Sequence, residues 1–147
     1  MAVRMELSRI LIRELADYQI IELREVAPGG DGESGGQMEG GRAFPIVIGL
    51  PEAQAIERRL KGVQIKRPQT HDLLASVITA LGGKLESITI NDLADQTFFA
   101  SLDVRTGDGQ LLHVDCRPSD AIALGIAGGV AIFVAEHVLE AATRDEA

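Results

Sequence analysis

The sequence is poor in the residues on which some classes of function depend. It has no tryptophan, and aromatic residues make up only 3% of its 147 positions. Proteins that stack nucleic-acid bases on an aromatic sheet surface need several exposed rings. The composition therefore argues against a platform of that kind, and it predicts an aliphatic core.

Cysteine and long apolar runs are also scarce. Cys116 is the only cysteine, which rules out a disulfide within the chain. No apolar run is long enough to span a bilayer, and the N-terminus shows no signal-like pattern. These features predict a cytoplasmic protein with no membrane partner.

Positive charge is in the minority. Fourteen Lys and Arg face 22 Asp and Glu, which gives a formal net charge of −8. Because binding to phosphates needs clustered cations, a phosphate site would have to gather them locally. Five of the fourteen fall within ten residues: Arg58, Arg59, Lys61, Lys66 and Arg67. The alternative interpretation of this patch is a solvated helix face followed by a loop.

The hydrophobic pattern predicts a mixed α+β fold. Apolar residues form 46% of the chain, and we expect one domain over residues 1–147. Strands are predicted at 5–14, 18–26, 43–49, 84–93, 96–106, 110–116 and 130–134, and helices from Pro51, over 70–81, from Pro118 and over 136–142. Their order suggests two βββα-like units, with packed helices on a mainly antiparallel sheet.

Glycine is concentrated in one segment, and apolar residues line one predicted helix. Seven glycines between residues 29 and 41 predict a flexible loop over 27–42. No Gly-Lys-Ser/Thr closes it, so it is not a phosphate-binding loop.

One face of the helix over 70–81 is apolar, and the residues that form it are Leu73, Leu74, Val77, Ile78 and Leu81.

Polar residues alternate with apolar ones in the hairpin over 99–117. A two-residue turn at Asp108-Gly109 would set polar residues against apolar ones, whereas a three-residue loop keeps each kind together. The second register pairs Leu102 with Val114, Asp103 with His113, and Ser101 with Asp115, and it predicts that Leu102 and Val114 both face the core. The polar face could then hold a divalent cation or move a proton. Alternatively, it is an ordinary solvated sheet face whose cross-strand pairs contribute ~0.2–1 kcal/mol each.

An Arg-Pro turn precedes each of two predicted helices, at residues 67–68 and 117–118. Proline suits the first helical turn, and Ser119 can cap it. Asp72 and Asp120 would complement the helix dipole, by ~0.3–1 kcal/mol. The same free N–H groups can instead bind phosphate, with the neighbouring arginine as a second donor.

Three segments resemble the bifunctional nuclease domain family. They are Phe44-Pro45-Ile46-Val47-Ile48-Gly49, Arg67-Pro68 through His71-Asp72-Leu73-Leu74, and Asp115-Cys116-Arg117-Pro118-Ser119-Asp120-Ala121-Ile122-Ala123-Leu124. The resemblance extends over about residues 3 to 135, and the last segment is the most specific. It implies a mixed α+β fold and cleavage of both DNA and RNA.

We therefore expect metal-stimulated phosphodiester hydrolysis of DNA or RNA. The residues that we expect to bind substrate are Arg58, Lys66, Arg67, Arg117 and Ser119. The expected catalytic residues are His71, Asp72, Asp115 and Asp120, and the expected ligands of Mg²⁺ or Mn²⁺ are Asp103, Asp115 and Asp120.

Another interpretation stays open. The low basicity, the scarcity of aromatic residues and the ordinary capping role of the Arg-Pro turns also fit a non-catalytic module that binds an anionic ligand or a protein partner. A homo-oligomer is the expected assembly.

Overall fold

The structure is a computed structural model that describes residues 1–26 and 41–144. The strands in this part of the chain are β1 (Ala2–Leu11), β2 (Gln19–Glu25), β3 (Ala43–Ile48), β4 (Lys84–Ala94), β5 (Thr97–Arg105), β6 (Leu111–Cys116) and β7 (Ala131–Ala135). The helices are α1 (Leu50–Lys61), α2 (Thr70–Ala80), α3 (Pro118–Ile126) and α4 (Glu136–Arg144). The loop predicted at 27–42 lies outside the described residues apart from its last two.

The strands form one mixed, mostly antiparallel sheet, which confirms the predicted fold class. Its order is β3-β2-β1-β7-β4-β5-β6, and only β4 and β7 pair in parallel. The successions β1-β2-β3-α1 and β4-β5-β6-α3 are consistent with two βββα-like units. None of the helices described is long and apolar enough to cross a bilayer.

The sheet curls around an aliphatic core. Phe44 on β3 stacks on Phe98 on β5 with ring centroids 5.5 Å apart, although four strands separate β3 from β5 in the sheet. Helix α3 is almost fully buried against β4 and β5. Its buried residues Ala121, Ile122, Ala123 and Leu124 form part of the hydrophobic core.

The predicted apolar face of α2 is largely uncovered. Helix α2 contains no buried residue, although Ala75 and Ile78 pack against the core. The other apolar residues are exposed: Leu73, Leu74, Val77 and Leu81. The periodicity correctly indicated an apolar face, but most of that face is exposed.

The hairpin register is confirmed. Leu102 pairs with Val114, Asp103 with His113, and Ser101 with Asp115, and the backbone of Thr106 bonds to Gln110 across a three-residue loop. Leu102 is buried as expected. Val114, which shares its face, is 47% exposed because β6 is an edge strand. We expected both to face the core, and for Val114 this is wrong.

Candidate functional site

The two Arg-Pro segments lead into helices whose first turns meet in one cleft. Nε2 of His71, in the first turn of α2, lies 3.1 Å from Oδ1 of Asp120, in the first turn of α3. The cleft has a volume of about 580 Å³, and α1 forms its third wall with Glu52 and Arg58. Residues 49 positions apart in the sequence are therefore in direct contact.

An arginine of α1 fixes the relative positions of the two helix starts. The guanidinium of Arg59 pairs with the Asp72 carboxylate in α2 and donates to the carbonyl oxygens of Ala123 and Leu124 in α3. The second oxygen of Asp72 accepts the backbone N–H of Gln69 at 3.0 Å, which caps α2. Both oxygens of Asp72 thus hold helices in place, although we had predicted a catalytic role for this residue.

Asp120 is held as an ionised acceptor. Arg117 donates to it from Nε at 2.9 Å and from Nη2 at 3.0 Å, and His71 contacts the same carboxylate. Partial burial by itself would raise the pKa of Asp120, but the hydrogen bonds from Arg117 and His71 outweigh that effect and keep the pKa below its usual value. The carboxylate is therefore charged at neutral pH.

Arg117 bridges two carboxylates. Its Nη1 donates to Oε1 of Glu52 at 3.0 Å while its other edge binds Asp120. These contacts raise the pKa of Arg117 further above its ordinary value. Three of its five N–H groups are engaged, so two remain for a ligand. Its charge is balanced within the protein.

Arg58 is different from its neighbours. It lines the cleft, and none of the ion pairs in the described part of the chain includes it. Its Nε is buried and has no hydrogen-bond partner among residues 1–26 and 41–144. A buried donor without an acceptor costs about 1–3 kcal/mol. No carboxylate in the described residues neutralises Arg58, so its charge can attract an anion into the cleft.

The other predicted substrate-binding residues lie outside this cleft. Lys66 and Arg67 are exposed on the segment that leads into α2. Ser119 is only 5% exposed and lines a neighbouring groove next to β3. From the predicted set, the structure therefore brings together Arg58, His71, Arg117 and Asp120 in this cleft, whereas Lys66, Arg67 and Ser119 do not line it.

Asp103 and Asp115 lie on the opposite face of the sheet. Because strand residues alternate in direction, these two point away from the helix-facing Leu102. Asp103 is 4% exposed and accepts from Ser87 and Thr89 at 2.7 Å each.

The same Asp103 carboxylate accepts two further contacts, from Ser101 Oγ at 2.9 Å and from Nδ1 of His113 at 2.8 Å. Burial favours a higher pKa for Asp103, but these four partners together lower it. The alternative of an ordinary solvated face is therefore wrong for Asp103 and Ser101, which are both buried.

The expected metal ligands do not form one cluster. In the part of the chain that the structure describes, no group of three or more His, Cys, Asp or Glu residues could hold a metal ion. Asp120 faces the cleft, whereas Asp103 and Asp115 are on the other sheet face. Protein donors already occupy both oxygens of Asp103.

Sequence reasoning missed Glu52 and the structural role of Arg59. Glu52 follows Pro51 in the first turn of α1, where an acidic residue needs no explanation beyond the helix dipole. Arg59 gave a clearer signal. It follows Ala55 by four positions and Ile56 by three, so it shares their buried side of α1.

Comparisons with known proteins identify the family of this chain. The model of the bifunctional nuclease domain matches residues 36–147. Two uncharacterized proteins, from two strains of Mycobacterium tuberculosis, are each 42% identical to this chain over 103 residues, or 70% of its length. The aligned part spans about 60% of the length of these relatives. The chain belongs to the bifunctional nuclease domain family.

Proposed function

We propose that the cleft between α1, α2 and α3 binds the phosphodiester backbone of DNA or RNA and hydrolyses it, with His71 as the proton carrier. One observation carries this proposal: a carboxylate-bound imidazole stands beside an uncompensated arginine in one cleft. Family membership supports the substrate class.

Phosphate binding rests first on Arg58, because no carboxylate in the described part of the chain forms an ion pair with it. The free N–H groups at the starts of α2 and α3 add donors that favour an anion. Arg117 contributes its two remaining N–H groups. Lys66 and Arg67, on the segment before α2, would contact neighbouring phosphates of a longer strand.

The chemical step follows from the His71–Asp120 contact. An ionised Asp120 accepts the Nε2–H of His71, which leaves Nδ1 as the basic nitrogen and stabilises the imidazolium that forms. His71 takes a proton from an attacking water as the water oxygen bonds to phosphorus. The bond from phosphorus to the leaving nucleoside oxygen breaks, and that oxygen takes a proton from solvent.

This cleft could hold a divalent cation once the substrate phosphate supplies further oxygen ligands. Mg²⁺ is usually bound by one or two carboxylates plus phosphate oxygens, so it does not need three protein ligands. Glu52 would hold it through Oε2, because Arg117 binds only Oε1, whereas both oxygens of Asp120 are already bound by Arg117 and His71. The cation would stabilise charge on the phosphate. We therefore expect Mg²⁺ or Mn²⁺ to stimulate turnover, while Asp115 stays outside the site.

The test is cleavage of a fluorescent single-stranded oligonucleotide with Mg²⁺, with Mn²⁺ and with chelator. His71→Gln should abolish turnover with the fold intact. His137→Gln is the matched control, because His137 is 65% exposed on α4. Equal activity in both variants would mean that a contaminant or another site cleaves the substrate.

A binding measurement separates phosphate recognition from chemistry. Arg58→Ala should weaken oligonucleotide binding and reduce its dependence on log salt by about 0.7, the slope for one phosphate of a single strand. Arg9→Ala is the control, because Arg9 lies on β1 with a side chain 63% exposed. An unchanged salt slope in Arg58→Ala would remove Arg58 from the phosphate site.

One observation favours a second candidate function, a non-catalytic module for a small anionic ligand. Arg117 is already neutralised by Glu52 and Asp120, so the cleft offers one uncompensated cation rather than a basic track. Under this alternative, Arg58 would still be needed for binding a phosphorylated ligand. No metal would then give turnover, and His71→Gln would leave binding unchanged.

A further inference from the structure

Exposed apolar side chains occur on both α2 and β6. Six aliphatic side chains form the α2–β6 surface, with exposures from 36% to 82%: Leu73, Leu74, Val77, Leu81, Leu112 and Val114. Isolated exposed apolar residues need no explanation, but a cluster of this size usually marks an interaction site.

The helix and strand parts of this surface are adjacent. The backbone of Gly83, just after α2, lies against Ile78 of α2 and against Val104 of β5. Val104 pairs directly with Leu112 of β6. The C-terminal end of α2 therefore lies over β5, one strand spacing of about 4.8 Å from β6.

Strand β6 also has an unpaired edge. It pairs with β5 on one side, and no other strand in the described part of the chain pairs with its second side. It contains no lysine, proline or bulge, which are common devices that protect an edge from pairing with another chain, and its one acidic residue is Asp115. Its free backbone groups can extend the sheet into a second molecule.

We propose that a second copy of this chain occupies the α2–β6 surface, with the two β6 strands antiparallel about a two-fold axis at Val114. Val114 then faces the partner's Val114, and Leu112 faces the partner's Cys116. On the other sheet face, His113 faces the partner's Asp115, and this pair occurs twice because of the symmetry.

Charge complementarity selects this register. An axis at His113 instead sets the two histidines against each other and leaves Asp115 opposite the partner's Leu111. The axis at Val114 keeps apolar residues together and pairs an imidazole with a carboxylate on each side, which is the more favourable cross-strand arrangement.

The Asp103 network gives the interface a fixed anchor. Oδ1 of Asp103 lies 2.8 Å from Nδ1 of His113. The His113 side chain is 63% exposed, so its other ring nitrogen, Nε2, can reach a partner molecule. The imidazole would then lie between Asp103 and the partner's Asp115, with one ring nitrogen toward each carboxylate. Asp103 and the side chains that bond to it, which lie outside the cleft, would thus help to form the dimer.

Sedimentation velocity of the full chain over a range of concentrations tests the interface. The wild type should form a dimer, and Val114→Lys should be monomeric with an unchanged circular dichroism spectrum. Val47→Lys is the matched control, because Val47 is 63% exposed on β3, the opposite edge strand of the sheet. A monomeric wild type, or a dimer that survives Val114→Lys, overturns the proposal.

Single cysteines test the register without adding charge. In a Cys116→Ser background, Val114→Cys should form an intermolecular disulfide on oxidation, because directly opposed Cα atoms lie about 4.5–5.5 Å apart. His113→Cys should not, because in this register the two cysteines are diagonal neighbours about 7–8 Å apart. Crosslinking at residue 113 but not at 114 would refute the axis at Val114.

Discussion

Replacing the buried Asp103 carboxylate should destabilise the protein far more than replacing an exposed aspartate. Asp103→Ala removes the acceptor of four contacts and leaves the buried Ser101 hydroxyl without its partner. Hydrogen bonds to a charged group contribute about 1.5–3 kcal/mol each, but the half-buried Ser87 and Thr89 can bond to water instead. We therefore expect a loss of roughly 3 kcal/mol in the free energy of unfolding.

The pH dependence gives this prediction a second measurement. The folded-state pKa of Asp103 is lowered, so the unfolded chain binds the proton more readily. Its stabilising contribution is therefore complete above the unfolded pKa of about 3.9 and is lost as the pH falls through the folded value. The difference between wild type and Asp103→Ala should shrink below about pH 4.

Urea unfolding followed by circular dichroism at pH 7 and at pH 3 measures both effects. Asp92→Ala is the control, since Asp92 lies on the neighbouring strand β4 with a side chain 59% exposed, and it should cost less than about 0.5 kcal/mol. Equal losses in the two variants, or a difference that grows in acid, would refute the reasoning.

Three further predictions concern other parts of the molecule. Arg59→Ala should lower the free energy of unfolding by about 3 kcal/mol, because it leaves Asp72 unpaired, and urea unfolding should show a smaller loss for Arg58→Ala. Burial and nearby carboxylates raise the pKa of Cys116 to about 11, so mass spectrometry should detect little alkylation by iodoacetamide at pH 8 and faster reaction toward pH 11. Leu81→Ser should change the unfolding free energy by less than about 0.5 kcal/mol, because Leu81 is 82% exposed, yet it should weaken self-association measured by sedimentation.

Local sequence patterns were sufficient to predict the strands, the helices and the register of the β5–β6 hairpin. The alternation in the β5–β6 hairpin, together with its short loop, indicated which residues oppose each other, because a register shifted by one residue would mix polar and apolar faces. The starts of α2 and α3 followed from the Arg-Pro turns. Periodicity could show that α2 has an apolar face, but it could not show whether this chain or a second copy covers that face.

The candidate site depends on contacts that no local pattern contains. His71 meets Asp120 only because α2 and α3 pack with their first turns together, and this arrangement depends on Arg59. The carboxylates that looked equivalent in sequence are separated by the sheet, since Asp103 is in a strand and points away from the helices. Composition alone could not distinguish a carboxylate that faces the cleft from one that is saturated by hydroxyl groups.

Arg58 and Arg59 are adjacent in α1, but their charges have different surroundings because the two side chains point in different directions. Successive residues of an α-helix point about 100° apart, so Arg58 and Arg59 cannot both face the core. Arg59 lies above Ala55 and Ile56, and its side chain is 10% exposed and bound to a carboxylate and two carbonyl oxygens. Arg58 is turned toward the cleft and lacks such partners in the described part of the chain. Because the charge of Arg59 is used to hold the helices and that of Arg117 is balanced by two carboxylates, an anion entering the cleft gains most from Arg58.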